Sequence, residues 1–213
     1  MTVFLIDVLR SPSVTILLGK RGEGKTASGM KFLEEANQRG MLCYCVGIPE
    51  SKWELIPDYI IKTKNLNDVP DDAAVFIDEA YMIAHARESN KKTNRVIAKI
   101  LGVARQKDWT LLFATHSSMK LDKTIIAGSD NQMFKRQTLL LARFERKEIK
   151  EMVSKAYQFF KLKKAQKQDT RKWAIIFSED NLPDGPIGVT YPLPKFWTEK
   201  LSKAFRGLKI TEI

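Results

Sequence analysis

One stretch decides the fold of this chain: Gly19-Lys20-Arg21-Gly22-Glu23-Gly24-Lys25-Thr26. It matches the pattern G-x-x-x-x-G-K-[ST] at every defined position. The apolar run before it, residues 14–18, predicts a buried strand, and residues 27–39 predict a helix that ends at Gly40. A glycine-rich turn between a strand and a helix presents backbone N–H groups to an anion. The stretch therefore predicts a loop that binds the phosphates of a nucleotide through its eight residues.

Two acidic residues follow a later apolar run in the manner of a Walker B motif. Residues 74–77 predict a strand, and Asp78 and Glu79 come directly after it. In this pattern Thr26 and Asp78 hold Mg²⁺, while Lys25 reaches the β- and γ-phosphates of ATP. Glu79 would polarise the attacking water, a task that a kinase does not need, so the pair favours hydrolysis. The alternative is that both acids are solvated and begin the following helix.

A further buried strand with a polar tip is predicted at residues 110–116. Ligands of open α/β sheets bind at the carboxyl ends of the strands. Thr115 and His116 should therefore face the γ-phosphate beside Glu79, where His116 would act as a sensor of hydrolysis. The alternative is a structural histidine.

The alternation of strands and helices predicts an α/β fold with a mainly parallel central sheet flanked by helices. Further strands are predicted at residues 3–9, 41–47, 132–141, 173–177 and 187–191, and helices at residues 95–108, 145–166 and 197–205. The last two strands should pair with each other, which adds extra β-structure towards the C-terminus. Residues 48–70 contain three prolines and predict irregular structure. No linker or repeat divides the chain, so residues 1–213 are expected to form a single domain.

Charge and cysteine content bear on the partners and the compartment. The formal net charge is +11, which favours a polyanionic partner unless the excess serves solubility alone. Cys43 and Cys45 alternate along a predicted strand, so they face the same side and predict reduced core thiols. The sequence has no apolar run of about 18 residues that would cross a membrane. These features predict a cytoplasmic protein with no membrane segment.

The chain resembles the additional-strand, catalytic-glutamate division of P-loop ATPases. Within that division it is most similar to the FtsK/HerA superfamily, and especially to its small viral genome-packaging ATPases. The likeness lies in the loop 19–26, the pair Asp78-Glu79, and residues 103–109 that lead into the strand 110–116, with residues 117–126 beyond it. Family members usually carry glutamine at the tip of that strand, where His116 stands in this chain.

The resemblance implies a RecA-like fold that hydrolyses Mg-ATP, assembles as a homo-oligomeric ring and translocates double-stranded DNA. For a viral member it implies genome packaging in the host cytoplasm and contact with a capsid or portal-vertex protein. Rings of this kind complete each site with an arginine from the neighbouring subunit. Arg105 is favoured for this role because it ends a helix that leads into the strand 110–116. Arg87 and Arg95 are the other candidates, and a surface arginine is the alternative.

Most of the excess positive charge lies in residues 135–172, which hold thirteen Lys and Arg against four Asp and Glu. Such a cluster gains affinity for phosphate backbones through counterion release. No stacking or major-groove motif accompanies it, so DNA binding should be independent of sequence. A solvated helix face and a docking surface for an acidic protein are the alternatives.

Two other functions share the nucleotide loop. A nucleoside or nucleotide kinase carries the same loop and can carry an acidic strand end. An ATP-gated interaction protein would bind nucleotide without motor activity. Stimulation of ATP hydrolysis by DNA would distinguish a motor from a kinase and from an ATP-gated interaction protein.

Overall fold

The computed structural model of the chain describes residues 4–78, 90–116, 121, 123–139, 147–178 and 185–203. The helices in these ranges are α1 (Leu5–Leu9), α2 (Lys25–Gln38), α3 (Asn90–Gln106), α4 (Lys123–Ala127), α5 (Lys147–Ala165) and α6 (Glu199–Ser202). The strands are β1 (Ser13–Leu18), β2 (Cys43–Val46), β3 (Ile60–Lys62), β4 (Ala74–Ile77), β5 (Thr110–Thr115), β6 (Asn131–Phe134), β7 (Trp173–Ser178) and β8 (Ile187–Thr190). Short 3-10 helices lie at Glu50–Leu55, Leu66–Asp68 and Thr170–Lys172.

The eight strands of the described residues form one sheet in the order β3-β2-β4-β5-β1-β6-β7-β8. The first six strands in that order are parallel, whereas β7 is antiparallel to both β6 and β8. The chain therefore has the predicted α/β fold with a mainly parallel central sheet flanked by helices, and with extra strands towards the C-terminus. Strand β5 lies between β1 and β4 in this order.

Helices cover both faces of the sheet because each strand sends alternate side chains into two cores. One core joins Ile16 of β1 to Ala104 of α3 and Val153 of α5. The other joins Leu17 of β1 to Leu33 of α2 and to the buried side of α1. Strands β1, β2, β4 and β5 are buried along their whole length, as expected for the centre of a parallel sheet.

Helix α2 approaches β4 closely at Gly29. A Cβ atom on this glycine would lie 2.2 Å from Cε2 of Phe76, a fully buried side chain of β4. A larger residue at position 29 would therefore push the helix away from the strand. The glycine thus sets the spacing between the start of α2, which carries Thr26, and the end of β4, which precedes Asp78.

Residues 4–9, the described part of the predicted strand 3–9, do not form a strand. Residues Leu5–Leu9 form α1, with Leu5, Ile6 and Leu9 buried. The Glu35 carboxylate on α2 accepts hydrogen bonds from the N–H groups of Leu5 at 2.5 Å and Ile6 at 3.3 Å, which satisfies the start of α1. An apolar run of this length is compatible with a strand or a helix. The hydrogen bonds to Glu35 on α2 favour the helix.

The segment 48–70 is more regular than the sequence predicted. It contains two of the 3-10 helices and the strand β3. Strand β3 pairs in parallel with β2, with Ile60 opposite Cys43, and forms one end of the sheet. A strand of three residues is too short to show the alternation by which strands are recognised in a sequence.

Several other expectations are confirmed. Strands β7 and β8 pair, and the predicted helices at residues 95–108 and 145–166 correspond to α3 and α5. Cys43 and Cys45 are buried free thiols, and burial raises the pKa of Cys43 to about 12. None of the helices in the described ranges combines the length and apolar character that crossing a membrane requires. The single domain over residues 1–213 stays a prediction.

Candidate nucleotide-binding site

The loop 19–26 connects β1 to α2, and two glycines shape it. Gly22 and Gly24 have φ angles of 80° and 84°, a left-handed conformation that strains any residue with a Cβ. Gly24 is also the N-cap of α2, and no side chain caps the helix there. The first N–H groups of α2 are therefore arranged as in sites that bind phosphate.

Lys25 and His116 meet at this loop. The Lys25 ammonium nitrogen lies 2.6 Å from His116 Nδ1 and 2.8 Å from the carbonyl oxygen of Gly19. An ammonium group only donates hydrogen bonds, so His116 Nδ1 is the acceptor and the ring proton is on Nε2. Lys25 is buried and His116 is exposed. The structure thus brings His116 to the nucleotide loop, while its role as a sensor stays a prediction.

Thr26 and Asp78 form the second contact of the site. The Thr26 hydroxyl donates to Asp78 Oδ2 at 2.8 Å, and the N–H of Asp78 donates to the Val46 carbonyl at 2.9 Å. A hydroxyl and a carboxylate oxygen at hydrogen-bonding distance are the two protein ligands that Mg²⁺ uses beside nucleotide phosphates in P-loop proteins. The described residues contain no group of three or more His, Cys, Asp and Glu side chains that could hold a metal without phosphate ligands. The pair therefore fits Mg²⁺ bound together with a nucleotide.

Strand pairing explains why these residues meet. Leu18 at the end of β1 is opposite Thr115 of β5, and Ile77 at the end of β4 is opposite Phe113. The loop, His116 and Asp78 follow these three strands and therefore leave the sheet at the same edge. This is the edge at which open parallel sheets bind ligands.

Two loop residues are bound to the segment that follows β6. The Arg136 guanidinium donates to Glu23 Oε1 at 2.5 Å, and this bond raises the pKa of Arg136. The N–H of Lys20 donates to the Arg136 carbonyl at 3.1 Å. The Glu23 carboxylate and the Lys20 N–H thus anchor the loop to this segment, while the binding of nucleotide by Lys20 and Glu23 stays a prediction. The side chains of Lys20 and Arg21 are exposed at the site.

Lys135 does not belong to the basic surface that the sequence predicted for residues 135–172. It follows β6, and its side chain is 0% exposed. Its Nζ donates to the Arg171 carbonyl at 2.7 Å and to the Tyr191 hydroxyl at 3.1 Å. Burial lowers the pKa of Lys135 to about 7, although the carboxylates of Glu23 and Asp169 act in the opposite direction. The sequence carries no local signal of this burial, because the partners lie 36 and 56 residues away.

The other basic residues of the described stretch lie mostly on α5 and after it. Lys163 is packed, with its Nζ 3.7 Å from the centre of the Trp173 ring. Arg136 is half-buried against Glu23. The exposed basic residues are Lys147, Lys150, Lys155, Lys161, Lys164, Lys167, Arg171 and Lys172. Arg143 and Arg146 lie outside the described residues.

Arg105 lies at the opposite edge of the sheet from the loop. Its guanidinium donates to the Gly128 carbonyl and lies 3.7 Å from Asp130 Oδ1, while Asp130 Oδ2 accepts a bond from the N–H of Val14 near the start of β1. The six residues of β1 separate this edge from the loop, a length of about 16 Å. Arg105 therefore does not reach the nucleotide loop of its own chain. Its action at a neighbouring subunit stays a prediction.

Two further predicted residues, Glu79 and Arg87, lie outside the described residues. Glu79 directly follows Asp78 in the sequence. Arg95 is exposed on α3. The roles of these three residues stay predictions.

Comparison with known proteins finds likeness in structure but not in sequence. No protein-family model and no curated protein matches the chain. The chain is similar to the genome packaging NTPase B204 from Sulfolobus turreted icosahedral virus 2 in complex with AMPPCP, at 14% identity and a TM-score of 0.57 over 86% of this chain and 100% of that chain. The complex of that NTPase with ATP-gammaS gives 14% identity and a TM-score of 0.56 over 86% and 98%.

A third solved structure extends the comparison to a second virus. It is B204, the DNA-packaging ATPase from Sulfolobus turreted icosahedral virus, at 12% identity and a TM-score of 0.51 over 86% of this chain and 99% of that chain. Identity at this level shows the fold alone. The resemblance drawn from the sequence is therefore confirmed as a likeness of fold: this chain folds as a P-loop NTPase similar to viral genome-packaging ATPases.

Proposed function

We propose that this protein is a Mg-ATP-hydrolysing motor that translocates double-stranded DNA and packages a viral genome into a capsid. The observation that carries the proposal is the meeting of two contacts at one loop, Lys25 with His116 and Thr26 with Asp78. The fold shared with packaging NTPases and the exposed lysines on α5 support the motor function.

Each side chain of the site would have a separate role in hydrolysis. Thr26 and Asp78 would hold Mg²⁺, which neutralises charge on the phosphates. Lys25 would exchange the Gly19 carbonyl for phosphate oxygens, so it would also leave His116. His116 would then donate from Nε2 and respond to the presence of the terminal phosphate. Glu79, beside Asp78, would orient the attacking water.

The motor function requires a DNA contact and a ring. Lys161 and Lys164 are exposed and three residues apart on α5, so they lie on one face of the helix. Contacts from lysines to phosphates are independent of base sequence, as translocation requires. We further propose that the chain works in the host cytoplasm as a homo-oligomeric ring, with a neighbour supplying an arginine and a capsid or portal-vertex protein as the docking partner.

The test is the release of phosphate from Mg-ATP with and without duplex DNA. We expect hydrolysis by the wild type to be stimulated by DNA, and Lys25→Ala to lose hydrolysis in both conditions. The variant Lys161→Glu/Lys164→Glu should show a smaller stimulation and a shallower dependence of DNA affinity on salt concentration. The matched control is Lys99→Glu/Lys200→Glu, which changes the net charge equally at exposed lysines on α3 and α6.

The outcomes separate the parts of the proposal. A wild type that releases no phosphate overturns the assignment as a hydrolase. Hydrolysis that DNA does not stimulate overturns the motor function and leaves the nucleotide site in place. Equal loss of stimulation in the test and control variants would show that only net charge matters, not the face of α5. Transfer of phosphate to a nucleoside would identify the kinase alternative.

A further inference from the structure

We propose that Lys135 is a positioning residue that holds the phosphate-binding loop against the turn that follows the basic helix α5. This inference rests on the proposed function, because it concerns the same nucleotide site. It assigns to Lys135 a task in the alignment of the loop rather than contact with the reacting atoms.

The carbon stem of Lys135 runs along the loop. A Cβ atom on Gly19 would lie 2.6 Å from Cβ of Lys135, and one on Gly24 would lie 3.9 Å from its Cε. The backbone N–H of Lys135 donates to the Leu18 carbonyl at 2.7 Å, at the point where β1 ends and the loop begins. Lys135 therefore contacts the loop near both of its ends.

The amine of Lys135 joins the loop to the turn after α5. Its Nζ donates to the Arg171 carbonyl, which belongs to the 3-10 helix Thr170–Lys172. The same carbonyl oxygen would lie 3.3 Å from a Cβ on Gly24, so the turn also packs directly on the loop. Only a glycine at position 24 allows this approach without a shift of the turn.

A chain of hydrogen bonds continues from the amine to the first turn of α2. Lys135 Nζ donates to the Tyr191 hydroxyl, which lies 2.7 Å from Ser28 Oγ, and Ser28 Oγ donates to the Gly24 carbonyl at 2.8 Å. Because the serine proton is used on Gly24, the tyrosine proton must point to the serine. The donors of Lys135, Tyr191 and Ser28 therefore all point along this chain of hydrogen bonds, which ends at the Gly24 carbonyl of the loop.

Packing alone does not explain why residue 135 is a lysine rather than an apolar residue. An amine buried in this way loses its hydration, whereas a methionine of similar length would fill the space without that cost. What the amine adds is the pair of bonds to Arg171 and Tyr191, which no apolar side chain can make. The amine therefore connects the loop to the turn after α5 and to Tyr191, which directly follows β8.

Charged groups approach Lys135 from each element around it. Glu23 lies on the loop and is paired with Arg136, and Asp169 lies on the turn and is paired with Arg171. Burial raises the pKa of the neighbouring Tyr191, so this phenol stays neutral. With its pKa lowered to about 7, the amine of Lys135 is the group here that titrates near neutral pH. A polyphosphate at the loop would favour the charged amine, so nucleotide binding should take up protons above about pH 7.

The test is calorimetric titration of the protein with Mg²⁺ and a non-hydrolysable ATP analogue in two buffers of different ionisation enthalpy, which gives the affinity and the protons taken up. We expect Lys135→Met to weaken binding by about tenfold or more, as the loss of a buried hydrogen bond implies. Its proton uptake above about pH 7 should fall below that of the wild type. Lys200→Met removes an exposed amine and should change neither quantity.

The outcomes distinguish this inference from the proposed function. A wild type that does not bind the analogue overturns the proposed function. If the wild type binds and Lys135→Met matches it in affinity, or loses affinity with unchanged proton uptake, the inference is overturned. Should Lys135→Met fail to fold by circular dichroism, Tyr191→Phe and Ser28→Ala each break one link of the chain with the amine present. Unchanged affinity in both of these variants would also overturn the inference.

Discussion

Lys25 Nζ and His116 Nδ1 lie 2.6 Å apart, although 91 residues separate them in the chain. The contact joins the cation of the nucleotide loop to the tip of the strand that lies between β1 and β4. If Lys25 turns to phosphate oxygens when nucleotide binds, His116 loses this bond. We therefore expect the surroundings of the β5 tip to depend on whether the loop is occupied.

The first prediction concerns the side chain at this strand tip. His116→Ala should bind nucleotide but hydrolyse it more slowly, by an amount of the order of a hundredfold, because a preorganised donor at the phosphate is lost. His116→Gln should retain much of the activity, since an amide both donates and accepts. The measurement is the turnover number at saturating Mg-ATP. Wild-type turnover in His116→Ala would show that the histidine is structural.

The second prediction concerns the carboxylate that follows Asp78. Glu79→Gln should bind Mg-ATP with the wild-type affinity and hydrolyse it at least about a hundredfold more slowly, because the amide cannot take a proton from water. Binding of a fluorescent ATP analogue and single-turnover hydrolysis separate the two steps. Lys25→Ala is the comparison, because it should fail already in binding. Normal turnover in Glu79→Gln would remove Glu79 from the catalytic set.

The third prediction concerns assembly. If Arg105 acts at the site of a neighbouring subunit, mixtures of Arg105→Ala and Glu79→Gln chains should regain part of the activity that each lacks alone. Some interfaces in such a mixture pair an intact Glu79 with an intact Arg105. Steady-state hydrolysis across a series of mixing ratios measures this rescue. The absence of rescue at every ratio would leave Arg105 with the bonds to Gly128 and Asp130 that it makes in its own chain.

The fourth prediction concerns stability and pH. The pKa of Lys135 is about 7 in the folded protein, below its ordinary value of 10.5. Between these two pH values the unfolded chain binds more protons than the folded chain, so the free energy of unfolding should increase as the pH rises, by at most about 1.4 kcal/mol per pH unit. Below about pH 7 the amine is charged in both states and this gain is absent. Urea unfolding at several pH values should show the increase in the wild type and not in Lys135→Met.

The sequence predicted the parts of the fold that local patterns encode. The loop 19–26 and the strands around it follow from glycine spacing and from unbroken apolar runs, and both appear where they were expected. Register then brings His116 and Asp78 to the loop, because residues that follow parallel strands share one edge. The site could therefore be assembled from three motifs without knowledge of any side-chain contact.

The expectations that failed depend on contacts between distant residues. Residues Leu5–Leu9 became a helix because Glu35, about 30 residues away, binds the N–H groups at its start. Lys135 was counted with the basic surface because its neighbours in sequence are basic, yet Arg171 and Tyr191 enclose it. Neither the helix at Leu5–Leu9 nor the burial of Lys135 is visible in the local periodicity of the sequence, because the interacting residues lie on other elements.

Gly29 has a consequence for the choice of metal ion. Mg²⁺ accepts oxygen ligands only within a narrow range of about 2.0–2.1 Å, whereas Ca²⁺ tolerates about 2.3–2.6 Å and more ligands. The distance between the two candidate ligands, Thr26 and Asp78, depends on how closely the backbone of Gly29 packs on the Phe76 ring. A methyl group at position 29 would clash with the Phe76 ring and move α2 away from β4. The distance between Thr26 and Asp78 would then increase. We therefore expect Gly29, about one helical turn from the site, to favour the smaller Mg²⁺ ion by keeping α2 close to β4.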